Sequence, residues 1–446
     1  RGFMIVTKFG GTSVANAEAI KKVKTILEGK DEPTFVVVSA FSGITDSLLQ
    51  VVSQLQRRNF SSLESNVGEL FEKHLKVVEE LNLNHQARDF VEARRYEFLL
   101  IVNALKVLGE VSPRSMDLIL SYGEILSSYI IYIFLKSQGF DVNYVDPRAI
   151  VKTDSNFTSA EIDFAETKKA LHSYLQQNSN YKYHITGGYI ASTKDGFTTT
   201  LGRGGSDYSA SVIASLIDAK ELEIWTDVDG IMTCDPNLVS SAKLLEMVTY
   251  REASEMAIFG AKVLHPKTIF PAIRLGIPVY VKNTFNPENK GTFISFKATK
   301  EKKAKAIAFR KNVTVINIIS SQMLGTYGFL SKVFDIFKQY ETEVDLVSTS
   351  EVSISLTIED LSNLANIVKS LKLFADVEVI HQCVIVAVIG EGLRNSTSIA
   401  RRIFNAISGF KVLMVSMGAS DINFSIVVKE KDFVDVVKLL HKEFFE

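Results

Sequence analysis

Two short apolar segments near the start of the chain are typical of buried strands. Residues 4–9 (MIVTKF) and 34–40 (TFVVVSA) are both rich in β-branched side chains. Between them apolar residues recur at helical spacing, with Asn16 as the predicted N-cap and Gly29 as the predicted stop. A strand, a helix and a second strand in this order predict a βαβ unit, whose two strands run parallel.

From about residue 46 to residue 137 the pattern is mostly helical. It contains a long apolar segment, residues 118–135, which Glu124 and several serines and tyrosines interrupt. We therefore predict a buried helix there rather than a membrane span. Further strands are predicted at Lys182–Thr186, Leu222–Thr226 and Ile277–Val281. Residues 1–296 are predicted to form one large α/β domain, with a parallel-rich sheet sandwiched by helices.

The last third of the chain repeats its own pattern. Residues 297–312 are rich in lysine and predict a surface linker that contains one short strand. Beyond them, residues 313–380 resemble residues 381–446 at a constant offset of 70 positions. Matched pairs include Phe334 with Phe404 and Val347 with Met417. Each copy has the element order of a ferredoxin-like βαββαβ unit, so we predict two such units in tandem.

Composition narrows the functional classes. Among 446 residues, 50 basic and 51 acidic side chains give a net charge of −1. No large basic field is therefore available for nucleic acid or for an acidic membrane surface. The two cysteines, Cys234 and Cys383, are too few for a disulfide framework or a thiolate metal cluster, which favours a reducing, cytoplasmic setting.

The first strand is followed by the polar segment KFGGTS, residues 8–13. Glycines let backbone N–H groups approach an anion closely, and the lysine adds a compact positive charge. The lysine precedes the glycines, so this is not the P-loop pattern. A tight turn with no ligand is the alternative interpretation.

Two later segments add polar groups where predicted strands end. TTTLGRGGSDYSA, residues 198–210, precedes an apolar helix, and a helix N-terminus favours anions. WTDVDGIMTCDP, residues 225–236, brings Asp227, Asp229 and Asp235 to the end of a strand, where they could face a metal or a nucleotide. A capped glycine-rich loop and an ordinary acidic turn remain the respective alternatives.

Four motifs in order, KFGGTSV, TTTLGRGGSD, WTDVDGI and FGAKVLHP, resemble the aspartate kinases of the amino-acid kinase family. The likeness extends over essentially the whole chain, and the two C-terminal units resemble ACT domains. It implies transfer of the ATP γ-phosphate to the β-carboxylate of L-aspartate, the first step of lysine, threonine and methionine biosynthesis. A carboxylate is ionised at pH 7, so the reaction needs orientation and charge neutralisation, aided by Mg²⁺, rather than a general base.

The resemblance also assigns roles to individual residues. Lys8 is expected to contact the transferring phosphate and Asp207 to orient Lys8. Arg203 is expected to hold the α-carboxylate of aspartate and Glu124 its α-ammonium group, while Ser39 and Thr45 line the pocket. For Glu124 the alternative is a solvent-facing residue. The positions expected on the nucleotide or phosphate side are Gly10, Gly11, Gly204, Thr226, Asp227, Met232 and Lys262.

The sequence departs from the family pattern at two positions. Members commonly carry tyrosine where Met232 stands and arginine where Asn237 stands, and both positions help to hold the nucleotide. This leaves a second hypothesis open, a catalytically weak amino-acid sensor that keeps the kinase fold. Retention of Lys8, Glu124 and Arg203 together with Asp207 favours the active enzyme.

The first repeat carries a candidate effector site. Segment 323–337 enters a helix at about Gly328, and free N–H groups there suit an amino acid's carboxylate. Asp345 and Glu351 correspond to Val415 and Asp421 in the second repeat, and two acids suit a ligand with two ammonium groups. The segment resembles the inhibitor site of lysine-sensitive aspartate kinases, which favours L-lysine over threonine. The alternative is that both acids are solvated loop residues.

The full set of expected effector contacts is Met323, Thr326, Gly328, Phe329, Leu330, Val344, Asp345, Ser350 and Glu351. The expected partners are L-aspartate, ATP and L-lysine, with no nucleic acid and no membrane. Because ACT units commonly pair edge to edge, we also expect a homodimer through these units, or a tetramer built from it.

Overall fold

The computed structural model describes residues 2–260, 263–297, 303–320 and 327–446. The α-helices of these residues are α1 (Ala17–Glu28), α2 (Ile44–Gln56), α3 (Leu63–Glu80), α4 (His85–Leu108), α5 (Pro113–Ser137), α6 (Pro147–Ile150), α7 (Phe164–Gln177), α8 (Gly205–Leu216), α9 (Tyr250–Ile258), α10 (Pro266–Arg274), α11 (Phe329–Gln339), α12 (Leu364–Leu371), α13 (Ile399–Ala406) and α14 (Phe433–Phe445).

The strands of the same residues are β1 (Ile5–Phe9), β2 (Thr34–Val38), β3 (Val142–Tyr144), β4 (Lys152–Thr153), β5 (Tyr183–Gly187), β6 (Ile190–Thr193), β7 (Thr198–Thr200), β8 (Glu221–Thr226), β9 (Met247–Thr249), β10 (Val279–Asn283), β11 (Thr292–Ser295), β12 (Ala306–Ile319), β13 (Val347–Thr349), β14 (Ser353–Ile358), β15 (Asp376–Ile389), β16 (Val412–Met417) and β17 (Asn423–Lys429).

The chain divides into two compact units. The first comprises residues 1–230 and 263–296, and the second comprises residues 231–262 and 297–446. The predicted end of the large α/β domain, at residue 296, coincides with the end of the first unit. The predicted domain also included residues 231–262, which the structure instead groups with the C-terminal unit.

The first unit is built on a parallel-rich sheet. Its strands lie in the order β3-β5-β2-β1-β8-β10-β11. All neighbours are parallel except β10 and β11. The predicted βαβ unit is confirmed: Asn16 caps α1 by accepting a hydrogen bond from the Ala19 amide, and Gly29 ends it. The three later strands are also present, each shifted by one or two residues from its predicted bounds.

Helix α5 is the longest core helix of the first unit. It is long and apolar enough to cross a membrane, but 83% of its most apolar window is buried inside the protein. Core helices of soluble proteins share this composition, and the burial confirms the prediction of a buried helix. The same unit contains a small separate sheet, β4-β6-β7, whose strand β7 ends directly before the loop 201–204.

The second unit contains a six-stranded sheet in the order β13-β14-β12-β15-β17-β16. The repeat is confirmed, since Val313–Ile318 and Cys383–Val388 are both strand, and Phe334 and Phe404 both lie on helices. One part of the prediction is wrong. The expected short strand of the linker is the beginning of β12, a strand of 14 residues that runs on into the first repeat.

That extension completes the second repeat. Ala306–Arg310 pairs antiparallel with Ile385–Ile389, next to which β17 and then β16 follow. Residues 381–446 alone supply only three of the four strands of a ferredoxin-like unit, and the fourth precedes the first repeat in sequence. The first repeat is thus inserted into the second, and β12 and β15 run through both.

Residues 231–262 form hydrogen bonds with the rest of the second unit. The Ile307 amide donates to the Thr233 carbonyl at 2.7 Å, and the Thr233 hydroxyl lies 2.9 Å from the His441 ring. The Glu391 amide donates to the buried carboxylate of Glu252 at 2.9 Å. These are buried contacts between polar groups, which explains why the segment groups with the C-terminal module.

Candidate functional site

A cavity of about 660 Å³ opens in the first unit, at the carboxyl ends of β1, β2 and β8. Ligands of open α/β sheets bind at this edge. Ten residues predicted from five separate parts of the sequence line the cavity: Lys8, Gly10, Gly11, Ser39, Thr45, Glu124, Arg203, Gly204, Asp207 and Thr226.

Lys8 lies at the base of this cavity. Its Nζ is 2.7 Å from Oδ1 of Asp207, and the lysine is 9% exposed. The contact is an ion pair whose geometry falls outside that of a hydrogen bond. Lys8 and Asp207 therefore lie close together, as expected. Gly10 lines the cavity, and its amide donates to the Trp225 carbonyl at 3.1 Å.

Two helix N-termini face the same cavity. Gly43 precedes α2 with φ 80°, Gly204 precedes α8 with φ 70°, and neither helix has a side-chain cap. These left-handed conformations favour glycine, and a Cβ at Gly204 would lie 2.7 Å from the Thr268 methyl group. Two uncapped helix N-termini and a lysine that line one cavity form an environment for anionic groups.

Glu124 supplies the opposite charge. The residue is 4% exposed, and its Oε2 is buried without a hydrogen-bond partner in the described part of the chain. Burial raises the pKa of Glu124 from an ordinary 4.5 to about 8, although the Ala40 amide and Lys8 oppose the shift. A Cβ at Gly187 would lie 3.0 Å from the Glu124 Cβ, so glycine there allows α5 to approach the end of β5. The solvent-facing alternative for Glu124 is wrong.

Arg203 lies on the rim of the cavity. It is exposed and stands between Gly202 and Gly204, which both have positive φ. Ser39 directly follows β2, and Thr45 lies in the first turn of α2. Both residues line the cavity, on the wall formed by residues 39–45. A cation at the rim and a carboxyl group in the wall could bind a zwitterionic ligand at its two charged ends.

Several residues that line the cavity were not predicted from the sequence. Met116 and Leu120 precede Glu124 on α5 at intervals of four residues, so helical spacing from Glu124 could have identified them. Thr158 and Tyr189 also line the cavity, and both have positive φ, 73° and 65°. No sequence signal identifies a non-glycine residue with positive φ.

The expected nucleotide-side residues do not all lie in one unit. Thr226 lines the cavity, and its hydroxyl donates to the exposed Asp227 at 3.2 Å. Met232 belongs to the second unit, where it forms an isolated bridge with Leu244, and Asn237 is exposed there. Lys262 lies outside the described residues.

The candidate metal ligands have other partners. Asp229 accepts hydrogen bonds from Asn283 and Asn286, and Asp235 accepts one from the Asn237 amide. Among residues 2–260, 263–297, 303–320 and 327–446, no three histidine, cysteine or acidic side chains are grouped as a metal site.

The expected effector site of the first repeat is partly described. The helix α11 begins directly after Gly328, as predicted, and Gly328 has φ 81° and provides no side-chain cap. Phe329 is buried, and Leu330 is 44% exposed. Ser350 and Glu351 are exposed and Val344 is half-buried. Met323 and Thr326 lie outside the described residues.

Asp345 is not a solvated loop residue. Its Oδ1 accepts a hydrogen bond from Arg310 at 2.6 Å, while its Oδ2 is buried and lacks a partner among the described side chains and amides. Burial raises the pKa of Asp345, and Arg310 opposes the shift. Arg310 also donates to the Ile258 carbonyl at the end of α9, at 3.1 Å. One oxygen of Asp345 thus remains for a second cation.

The second repeat uses the corresponding positions differently. Asp421 pairs with Arg251 of α9 at 2.5 Å, and Ser420 lies 3.4 Å from the Glu255 carboxylate. Helix α9 therefore occupies the surface of the second repeat that matches the candidate effector surface of the first.

Comparison with known proteins agrees with this architecture. A protein-family model for the amino acid kinase family matches residues 3–283, and one for the ACT domain matches residues 386–444. The lysine-sensitive aspartokinase 3 of Escherichia coli (strain K12) is 34% identical over 99% of each chain. The aspartokinase of Schizosaccharomyces pombe is 31% identical over 99% of this chain and 93% of that protein.

Solved structures give the same result. The structure of E. coli aspartokinase III in complex with lysine and aspartate has a TM-score of 0.86 and 33% identity, covering 100% of both chains. The structure of that enzyme with aspartate and ADP has a TM-score of 0.81 at 33% identity, covering 99% of this chain and 100% of that one.

The two family matches define the class of protein. It is a small-molecule kinase with ACT domains, which agrees with the α/β fold, the cavity of mixed charge and the repeated C-terminal units. The chain belongs to the amino acid kinase family, and its relatives over the full length place it among the aspartokinases.

We expect Glu124→Gln to stabilise the free protein, and increasingly so as the pH rises. A carboxyl whose folded pKa is raised contributes most below its unfolded pKa of 4.5, and stability is lost as pH rises towards 8. Because glutamine does not titrate, the advantage of the variant should grow by about 1.4 kcal/mol per pH unit in this window. Urea unfolding at pH 6 and pH 7.5 measures it.

The matched control is Glu64→Gln, which removes an exposed carboxylate from α3. Its unfolding free energy should differ from that of the wild type by a constant amount at the two pH values. A pH-independent difference for Glu124→Gln as well would contradict the burial of an unpaired carboxyl group at this position.

Proposed function

We propose that the protein transfers the γ-phosphate of ATP to the β-carboxylate of L-aspartate and forms 4-phospho-L-aspartate. The observation that supports this most strongly is the convergence of Lys8, Arg203 and Glu124 on one cavity of about 660 Å³. Two cations, and one buried carboxyl group with an unpaired oxygen, match a substrate with two carboxylates and one ammonium group. The E. coli enzyme whose structure superposes on this chain was solved with aspartate and ADP.

The α-ammonium group of aspartate would pair with Glu124. Its unpaired Oε2 accepts a hydrogen bond, and the positive ligand returns the carboxyl to its ionised form. Arg203 would bind the α-carboxylate in a bidentate manner, since the guanidinium donors match a carboxylate. Ser39 and Thr45 would line the pocket around the side chain. The substrate's β-carboxylate is then directed towards Lys8.

Lys8 would neutralise charge on the transferring phosphoryl group. Asp207, 2.7 Å away, holds the ammonium group in place, and the N-termini of α2 and α8 add partial positive charge. Because the β-carboxylate is already ionised at pH 7, no residue has to remove a proton from it. The site would accelerate the reaction by orientation and electrostatic stabilisation.

The nucleotide phosphates would bind beside this group. Gly11, Gly204 and Thr226 line the cavity next to Lys8, and Asp227 follows Thr226 on the exposed side. Gly10, Met232 and Lys262 are proposed as further positions on the nucleotide side. Mg²⁺, which typically keeps waters and binds phosphate oxygens with few protein ligands, would neutralise charge on the phosphates.

L-lysine is the proposed feedback inhibitor, bound to the first repeat. Its α-carboxylate would bind at the N-terminus of α11, near Gly328, Phe329 and Leu330. Its ammonium groups would pair with Oδ2 of Asp345 and with Glu351, beside Val344 and Ser350. Met323 and Thr326 are proposed as the remaining contacts. The lysine-sensitive E. coli relative and its lysine-bound structure support this choice of effector.

The proposal also includes how the protein assembles and where it is located. Strands β13 and β16 form the two edges of the regulatory sheet, and such edges pair readily with a second copy. We therefore propose a homodimer through the ACT units, or a tetramer. Cys234 and Cys383 are buried and unbridged, which suits a reducing, cytoplasmic setting.

Lys8→Met should abolish phosphoryl transfer while the protein stays folded. Methionine keeps the apolar stem but removes the charge, and loss of one charge at such a site typically costs about 10²-fold or more in kcat. Hydroxylamine traps 4-phospho-L-aspartate as its hydroxamate, and coupled ADP release gives the rate. The wild type should form both products in equal amounts.

Lys21→Met serves as the matched control, because Lys21 pairs with Glu18 on the exposed face of α1. It should keep wild-type turnover. A folded Lys8→Met protein with near-normal turnover would remove Lys8 from the mechanism. A wild type that releases no ADP with aspartate would favour the amino-acid sensor instead.

Asp345→Asn and Glu351→Ala should each weaken inhibition by L-lysine at least about tenfold, and L-threonine should not inhibit the wild type. Threonine has no side-chain ammonium group, and a coupling free energy of about 1–3 kcal/mol is small enough for one lost ion pair to erase. Inhibition curves for each protein provide the measurement.

The control variant is Glu343→Ala, which removes an exposed acid two residues before Asp345. It should keep wild-type sensitivity to lysine. Equal sensitivity of all the variants would place the effector elsewhere, and inhibition by threonine alone would overturn the charge argument.

A further inference from the structure

Asp117 is an ionisable residue of the core that the proposed reaction does not use. It lies on α5, seven residues before Glu124, and is completely buried. Residues seven apart on a helix lie on nearly the same face, so the two carboxyl groups point to the same side of α5. Asp117 does not line the cavity, and Met116 beside it does.

The Asp117 carboxylate joins two chain segments that are far apart in sequence. Its Oδ2 accepts hydrogen bonds from the Thr158 amide at 2.9 Å and from the Thr200 amide at 3.1 Å. Its Oδ1 accepts one from the Thr200 hydroxyl at 2.6 Å. Burial raises the pKa of Asp117, and these three donors oppose the shift. Three convergent donors make Asp117 the common anchor of both segments.

Both anchored segments form the wall that carries Arg203. Thr200 ends β7, and the chain then runs through Leu201 and Gly202 to the exposed Arg203. Gly202 and Gly204 have positive φ, so the arginine stands between two conformationally permissive residues. A Cβ at Gly202 would lie 3.5 Å from the Thr158 carbonyl, which shows that the two segments touch.

Thr158 itself has φ 73°, a conformation that is unfavourable for a β-branched residue. The hydrogen bond from its backbone N–H to Asp117 holds this conformation, and Thr158 lines the cavity. The distance between Arg203 and Glu124 therefore depends on a carboxylate that belongs to the same helix as Glu124.

We propose that Asp117 is a positioning residue for the amino-acid substrate, which acts by holding the Arg203 loop and the Thr158 turn against the helix that carries Glu124. The inference rests on the proposed function, because it assigns Arg203 and Glu124 to the two ends of aspartate. Substitution of Asp117 should therefore weaken the binding of aspartate more than the binding of ATP.

Three variants separate positioning from a merely structural role. Thr200→Val removes only the hydroxyl donor, and Asp117→Ala removes the whole anchor. Asp117→Asn keeps an oxygen for the two amides and turns its NH₂ group towards the Thr200 oxygen, which can accept. The control is Asp163→Ala, which removes a carboxylate that caps α7 by accepting from the Glu166 amide at 3.0 Å.

For each protein, KM for aspartate, KM for ATP, kcat and Tm are measured in the hydroxamate and ADP-release assays. We expect Asp117→Ala to raise KM for aspartate about tenfold or more, and Thr200→Val to raise it severalfold. KM for ATP should stay within about twofold in both. Asp117→Asn should restore most of the loss, and Asp163→Ala should lower Tm without changing KM for aspartate.

Equal increases in both KM values, or a folded Thr200→Val with unchanged KM for aspartate, would overturn the inference. If Asp117→Ala does not fold, Thr200→Val and Asp117→Asn still decide it. A wild type that phosphorylates aspartate, with variants that leave its KM unchanged, refutes only the positioning role. A wild type inactive with aspartate refutes the proposed function and this inference together.

Discussion

The burial of Glu124 is the constraint on which the catalytic cavity depends. An ionised carboxylate with one unpaired oxygen is unfavourable in the protein interior, and burial therefore raises the pKa of Glu124 to about 8. Glycine at position 187 brings α5 against the end of β5 and so aims this carboxyl into the cavity. Lys8 and Asp207 form a self-neutral pair that lines the same cavity. Glu124 is therefore left without a cationic partner and stays protonated in the free site, and the ammonium group of an amino acid would allow it to ionise.

The regulatory module repeats this arrangement at a second place. Asp345 is partly buried, its buried Oδ2 is unpaired among the described residues, and its pKa is also raised by burial. Its other oxygen is held by Arg310, which also binds the carbonyl of Ile258 at the end of α9. A cationic ligand at Oδ2 would share the Asp345 carboxylate with Arg310, so the proposed effector site and α9 are linked through one arginine. In the second repeat, α9 itself occupies the matching surface.

Local signals in the sequence predicted much of the fold and of the cavity. Asn16 and Gly29 bounded α1, β-branched segments marked the parallel strands, and the glycine-rich segments at residues 8–13 and 198–210 both reached the cavity. These features depend on short-range pattern, which a single sequence carries. The apolar context of Glu124 was enough to predict its burial because a long apolar helix has little exposed surface.

What the sequence could not provide depends on contacts between distant segments. The continuous strand β12 crosses a lysine-rich stretch that is typical of a linker, and only its pairing with β15 reveals it as the fourth strand of the second repeat. The same holds for residues 231–262, whose polar contacts with Glu391 and His441 are invisible in local pattern. Asp117 had no motif around it, because its three partners come from residues 41 and 83 positions away.

If aspartate binds by ionising Glu124, its binding must release a proton, so the protons released on binding are the most direct test. Calorimetric titration with aspartate at pH 7, in two buffers with different ionisation enthalpies, measures the protons released on binding. Since the free carboxyl has a pKa of about 8 and the paired one a much lower value, close to one proton should be released per aspartate bound. The release should disappear in Glu124→Gln. Tight binding of aspartate to the wild type with no release of protons, or with uptake, would contradict the account.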